Sequence, residues 1–160
     1  MINGHFYYIS DKYFQDFQDD KLMSNKEIAN GISHDRPCFY AFQDNKTKLF
    51  WLIPISSQVE KYKAIYARKL AKYYRCDTLF FAEVLGYEKV FLLQNMCPVS
   101  QDYIKNEYFS VRTGEAVKLK FSIERELTKK AKKVLAMHRK GISLIFPDVS
   151  AIEMKLLKQL

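Results

Sequence analysis

"PCFYAFQDNKTKLFWLIPISS", residues 37–57, decides the fold class. Two aromatic-rich runs, "PCFYAFQ" and "TKLFWLIPI", flank the short turn "DNK", the clearest hairpin signal in the chain. Strands joined this closely pair antiparallel, because a parallel neighbour needs a long crossover. Further along, "TLFFAEV" and "KVFLLQN" flank "LGYE" and repeat the signal. "HFYYI" (5–9) reads as a short strand, and another is expected after Pro98. Mostly consecutive strands argue against a doubly wound parallel sheet. The expected class is α+β: a single domain over 1–160, with an antiparallel sheet of about six strands surrounded by helices.

The helical segments lie between and after these runs. Residues 11–22 carry Tyr13, Phe14, Phe17 and Leu22 at roughly helical spacing. "NKEIANGISHDR" (25–36) is polar and contains glycine, and reads as a helical turn followed by loop. From Val59 to Arg75, an apolar stripe of Val59, Tyr62, Tyr66, Leu70 and Tyr73 opposes a face with Lys61, Arg68, Lys72 and Arg75. Over 122–140, Ile123, Leu127, Ala131, Val134 and Leu135 face the core, with Ser122 as cap and Gly141 as stop. A last helix is expected near Ser150, where Ser-Ala-Ile-Glu153 spells a capping box.

The chain has 160 residues, 48% of them hydrophobic, enough for one core but not for two independent ones. Lys and Arg outnumber Asp and Glu by 26 to 18, a net charge of +8 that suits a polyanionic partner, nucleic acid before an anionic membrane. The longest apolar run, "LFWLIPI", is too short for a membrane span, and "MINGHFYYIS" does not read as a secretory signal. Cys38, Cys76 and Cys97 are widely spaced and read as reduced, buried thiols of a cytoplasmic protein. Without a CxxC pair or clustered histidines, neither a zinc site nor another cofactor is expected.

Ser56 and Ser57 end the second strand, and Ser57-Gln58-Val59-Glu60 spells a capping box at the start of the following helix. The plain reading is structural, since such a cap contributes about 1 kcal/mol. A helix N-terminus also offers unpaired N–H groups to an anion, and Lys61 and Lys63 lie one turn on. Cap and phosphate site are compatible, because the cap uses only some of the end groups.

"FYYISDKY" near the start, "RPCFYAF" on the next strand and "IPISS" followed by lysines resemble the endoribonuclease toxins of type III toxin–antitoxin systems, the relatives of ToxN, AbiQ and TenpN, and most of all the CptN group. The likeness runs from about Phe6 to the helix at 122–140 and lies in the order and spacing of short motifs. It implies a twisted sheet distantly similar to MazF-like toxins. It also implies metal-independent RNA cleavage leaving a 2′,3′-cyclic phosphate and a 5′-hydroxyl. Such toxins process a repetitive antitoxin RNA whose pseudoknot units then inhibit them, in closed protein–RNA assemblies that act against phage. The family's hydroxyl pair falls on Ser56 and Ser57, and its N-terminal tyrosine on Tyr13. Its lysine often follows in a "TSPK"-like run. Here Gln58, Val59 and Glu60 intervene, leaving Lys61 or Lys63 for that role. A family tyrosine position before the strand-opening proline carries His34.

Cyclic-phosphate chemistry needs a group to take the 2′-OH proton, donors for the phosphorane oxygens, and help for the departing 5′-oxygen. Ser57 suits hydrogen bonding to a nonbridging oxygen, and Lys61 supplies a point charge there. Arg36 could grip phosphate with its fork. Histidine exchanges protons near neutral pH, which makes His34 the candidate proton carrier; the plain alternative is an exposed loop histidine. Tyr13 is either core or a phosphate or base contact. Of Phe80 and Phe81, one faces inward and the other could hold a base, with Phe81 the candidate. The basic segment supplying Lys118, Lys120, Arg125, Lys129 and Lys133 would hold antitoxin RNA, or else is a solvated face partly neutralised by Glu124 and Glu126. The competing reading from charge and aromatics alone is a non-catalytic RNA- or DNA-binding regulator.

Overall fold

The strands announced by residues 37–57 form the centre of the molecule. The structure, a computed structural model, describes residues 1–160, the side chain of Ala29 excepted. In chain order the elements are β1 (Phe6–Ile9), α1 (Asp11–Asp16), β2 (Lys26–Ala29), β3 (Ile32–Asp35), β4 (Cys38–Gln43), β5 (Phe50–Ser56) and α2 (Val59–Tyr73). They continue with β6 (Leu79–Val84), β7 (Tyr87–Leu92), β8 (Cys97–Val99), β9 (Ile104–Glu107), α3 (Phe121–Arg139) and α4 (Val149–Gln159). Seven strands make one antiparallel sheet, ordered β6-β7-β5-β4-β1-β9 with β8 also on β5, while β2 and β3 form a separate two-stranded sheet. The fold is thus the expected α+β domain, with one strand more in its main sheet.

β5 carries the sheet's least regular pairing. Phe50–Leu52 pairs with β8, Ile55 and Ser56 pair with β7, and Pro54 lies between the two partners. A proline has no N–H for a ladder, so it suits the point where one neighbour hands over to the next. On the other side β5 runs unbroken along β4 except for one irregularity between Tyr40 and Phe42. Asp44 holds the connecting turn, its Oδ1 accepting from the Lys46 N–H at 2.8 Å.

Apolar side chains leave both faces of the sheet, which is why "LFWLIPI" shows no polar alternation. On one face Phe6, Phe39, Trp51, Ile53 and Phe91 meet Leu127, Ala131, Val134 and Leu135 of α3. On the other, Tyr7, Ile9, Tyr40, Leu52 and Val99 meet Tyr13, Phe17 and, from α4, Ile152 and Leu156. A smaller cluster joins Tyr62 of α2 to Leu79, Val90 and Leu92.

Four local expectations change. The segment 25–36 is a hairpin, β2 and β3, turning on Asn30-Gly31 with φ of 53° and 76°. That is the paired left-handed geometry a two-residue hairpin loop demands. The helix expected over 11–22 stops at Asp16. α2 packs only by its first half, leaving Leu70 and Tyr73 exposed. All three expected serine caps fail: Gln58 and Lys120 occupy the cap positions of α2 and α3 without a side-chain bond, and Asp148 caps α4 by accepting from the Ala151 N–H at 3.1 Å.

Candidate active site

The end of β5 opens into a cleft of about 420 Å³ between the β2–β3 hairpin and the β6–β7 hairpin. Its lining brings together Ser56 and Ser57 from β5 and its end, Glu27, His34 and Asp35 from the small hairpin, Lys89 and Tyr87 from β7, and Tyr8 and Tyr108 from the far side. Three expected site residues, Ser56, Ser57 and His34, therefore share one concavity, although 23 positions separate Ser57 from His34 in sequence.

Ser57 does not cap α2. Its backbone N–H donates to Glu27 Oε1 at 2.9 Å, and its hydroxyl accepts from Lys89 Nζ at 3.0 Å. The Ser57 hydroxyl proton remains available to a ligand in the cleft. Ser56 is buried, and its Oγ accepts from the Gln58 N–H at 3.2 Å, so it shapes the turn behind Ser57. Lys89 reaches the cleft by strand alternation. Phe91 of the same β7 face packs in the core, so Lys89 and Tyr87 emerge above it, while Val90 and Leu92 turn toward α2.

His34 is exposed, and its Nδ1 lies 3.1 Å from the Asp35 backbone carbonyl. A carbonyl only accepts, so Nδ1 carries hydrogen and Nε2 is the nitrogen free to take or release a proton. Asp35 is held by Lys26 and, at 3.0 Å, by Lys105 of β9. The hydrogen bonds from Lys26 and then Lys105 draw its carboxyl below the usual range, so it stays ionised. Burial, followed by the neighbouring Tyr108 and Asp35, pushes the Tyr8 phenol up to about 12. At neutral pH Tyr8 is a hydrogen-bond donor and not a base. The ring of Tyr108 packs edge-on against it at 5.7 Å.

Other expected residues lie elsewhere. Tyr13 is fully buried and donates to the Pro98 carbonyl at 2.8 Å, so neither ring nor hydroxyl is open to a ligand. Arg36 is 8% exposed, with Nε donating to the Ser24 carbonyl at 2.8 Å, Nη1 donating to the Ile55 carbonyl at 2.9 Å, and Glu27 at 3.8 Å. It stands behind the serines and does not line the cleft. Lys61 projects from α2 with its ammonium 5.3 Å from the Tyr62 ring centroid, and Lys63 pairs with Glu88 at 2.8 Å. Neither lines the cleft; Lys89, from across the sheet, holds the place next to the serine. Phe81 faces α2, its ring 5.6 Å from that of Tyr66, while Phe80 points into the main core.

The basic residues form a second surface. Arg125 and Lys129 of α3, with Lys132, Asn3, Ser122 and Thr128, line an open groove that Glu124 and Glu126 also enter. Lys118, Lys120 and Lys133 are exposed on or beside the same helix. Arg125 lies over the exposed ring of Phe121, 5.7 Å from its centroid. Among the described residues this groove and the cleft share no lining side chain. Among the described residues, no helix is long and apolar enough to cross a membrane. Among the described residues, no three His, Cys, Asp or Glu side chains converge as metal ligands would.

Lys89, Tyr8 and Glu27 were not singled out by sequence. Two signals pointed to Lys89 and Glu27: the alternation of β7 outward from Phe91, and the Asn30-Gly31 dipeptide, which makes residues 26–35 a hairpin and so sets Glu27 opposite His34.

No protein-family model and no curated protein matches the chain. Solved structures do. With a TM-score of 0.69 and 18% identity, over 97% of this chain and 96% of the other, it is similar to AbiQ, a lactococcal anti-phage endoribonuclease belonging to the type-III toxin–antitoxin system. With a TM-score of 0.68 and 12% identity, over 98% of both chains, it is similar to a protein from work on a bacterial antiviral system regulated by a processed non-coding RNA. At these identities the likeness is one of fold, and it spans nearly the whole chain.

Proposed function

We propose that the protein is an endoribonuclease toxin of a type III toxin–antitoxin system, acting in the cytoplasm against phage. It cleaves RNA without a metal to 2′,3′-cyclic phosphate and 5′-hydroxyl ends. The observation that carries this reading is the convergence of Ser57, Lys89, His34 and Tyr8 on one cleft, in a fold shared with an anti-phage endoribonuclease. The motif order links it most closely to the CptN group. In the proposed assembly, pseudoknot repeats cut from the antitoxin RNA return to occupy the cleft and the α3 face, closing a ring of protein and RNA.

The chemistry follows from the groups present. His34 Nε2 takes the proton of the 2′-OH, whose oxygen attacks phosphorus. Lys89 and the Ser57 O–H face the nonbridging oxygens, where charge develops in the phosphorane. As the bond from phosphorus to O5′ breaks, Tyr8, which keeps its proton at neutral pH, donates to O5′. The proton held by His34 returns through solvent. The test is incubation of RNA-free protein with a long RNA in EDTA, followed by end-group analysis. Cyclic-phosphate ends are expected. Intact RNA would favour a non-catalytic RNA-binding regulator, and 3′-hydroxyl ends would overturn the chemistry.

A further inference from the structure

Glu27 is only 7% exposed, and its two oxygens face different partners. Oε1 accepts from the Ser57 backbone N–H at 2.9 Å, and Oε2 lies 3.8 Å from Arg36 Nη1. Arg36 is anchored in turn: Nη1 donates to the Ile55 carbonyl on β5, and Nε donates to the Ser24 carbonyl at the entry to β2. The small sheet has no ladder to the main sheet. Glu27 and Arg36 are thus polar ties between this hairpin and the strand that ends in Ser57, in addition to the Asp35–Lys105 pair that joins it to β9. Glu27 also pairs directly with His34 across the hairpin, so both side chains leave the same face. Fixing Glu27 to Ser57 therefore also fixes how far His34 stands from Ser57.

We propose that Glu27 is a positioning residue: through its hydrogen bond to the Ser57 amide it sets the spacing between the serine that holds phosphate and the histidine that moves the proton. This rests on the reading of the cleft as an RNA-cleaving site. The functional part of the carboxylate is its acceptor oxygen toward Ser57. Its charge matters to Arg36, which keeps two carbonyl acceptors without it. Glutamine therefore retains the essential contact and alanine does not.

The experiment compares wild type, Glu27→Ala and Glu27→Gln by single-turnover RNA cleavage in EDTA and by hydrogen exchange of the Ser57 amide. A misplacement of about 1 Å between reacting groups can cost about 100-fold, so Glu27→Ala is expected to lower kcat by about that factor with KM little changed. Glu27→Gln is expected to recover at least about tenfold of that loss. The Ser57 amide is expected to be protected in wild type and the glutamine variant and to exchange freely in the alanine variant. An alanine variant as fast as wild type overturns the proposal, and so does a glutamine variant as impaired as alanine, which would make Glu27 only a counter-charge for Arg36. Should alanine prevent folding, the glutamine variant decides alone: kcat within about tenfold of wild type upholds the proposal, and a loss of about 100-fold overturns it. If wild type cuts no RNA, the nuclease reading fails, while amide exchange still reports whether Glu27 ties the hairpin to Ser57.

Discussion

At the scale of single residues, the cleft is a product of strand alternation. Lys89 lies two positions from the core residue Phe91 and on the same face of β7, which brings its ammonium to Ser57 Oγ at 3.0 Å. Lys61, nearer in sequence, is carried away from the cleft by α2. Lys89→Gln is therefore expected to slow RNA cleavage by about 100-fold, the usual cost of removing one donor from a charge-developing oxygen, while Lys61→Gln leaves the rate unchanged. Single-turnover rates for the two variants make the comparison. For His34, the free Nε2 predicts that His34→Gln cleaves RNA at least about 100-fold more slowly; an unchanged single-turnover rate would remove it as proton carrier. Ser57 and His34, candidates from the family resemblance, both line the cleft. Lys89 and Tyr8, which also line it, were not singled out, because proximity in sequence says little about which strand supplies the facing side chain.

At the scale of elements, the β4–β5 and β6–β7 hairpins, the two longest helices and the core face of α3 follow from hydrophobic periodicity and turn residues. The helix starts do not. Ser57-x-x-Glu60 has the letters of a capping box, yet the Ser57 amide is already bonded to Glu27, 30 residues away. A tertiary partner outcompetes the local motif, and α2 starts from Gln58 with no side-chain cap. At α4 the working cap is Asp148, so Asp148→Ala is expected to lower stability by about 1 kcal/mol, measured by denaturant unfolding, while Ser150→Ala is near neutral. The β2–β3 hairpin depends on Asp35, which ties it to Lys105 of β9. Its hydrogen bonds to Lys26 and Lys105 lower its carboxyl pKa, so the folded state binds that proton more weakly than the unfolded one. The resulting stability is present above about pH 4, the ordinary carboxylate range, and is lost as pH falls through the lowered value. Amide shifts of residues 26–35 followed in an acid titration should change below that range, and at higher pH in Lys26→Ala.

At the scale of the whole molecule, the proposed chemistry and the basic helix face occupy different surfaces: a partly enclosed cleft at the end of β5, and an open basic groove along α3. The net charge of +8 announced a polyanionic partner but not this division, which follows from α3 packing on a sheet face while presenting Arg125 and Lys129 outward. Neutralising Arg125 and Lys129 together is expected to weaken RNA binding and to reduce the slope of log affinity against log salt by about 0.7–0.9 for each phosphate the variant no longer neutralises. The cleavage step on bound RNA should be preserved. The central claim, that Ser57 works on phosphate, is tested most directly by Ser57→Ala, its fold checked by circular dichroism, with RNA binding and cleavage measured on the same preparation in EDTA. The predicted result is a folded variant that binds RNA like wild type and cuts it at least about 100-fold more slowly. A folded variant that cuts at the wild-type rate would contradict it.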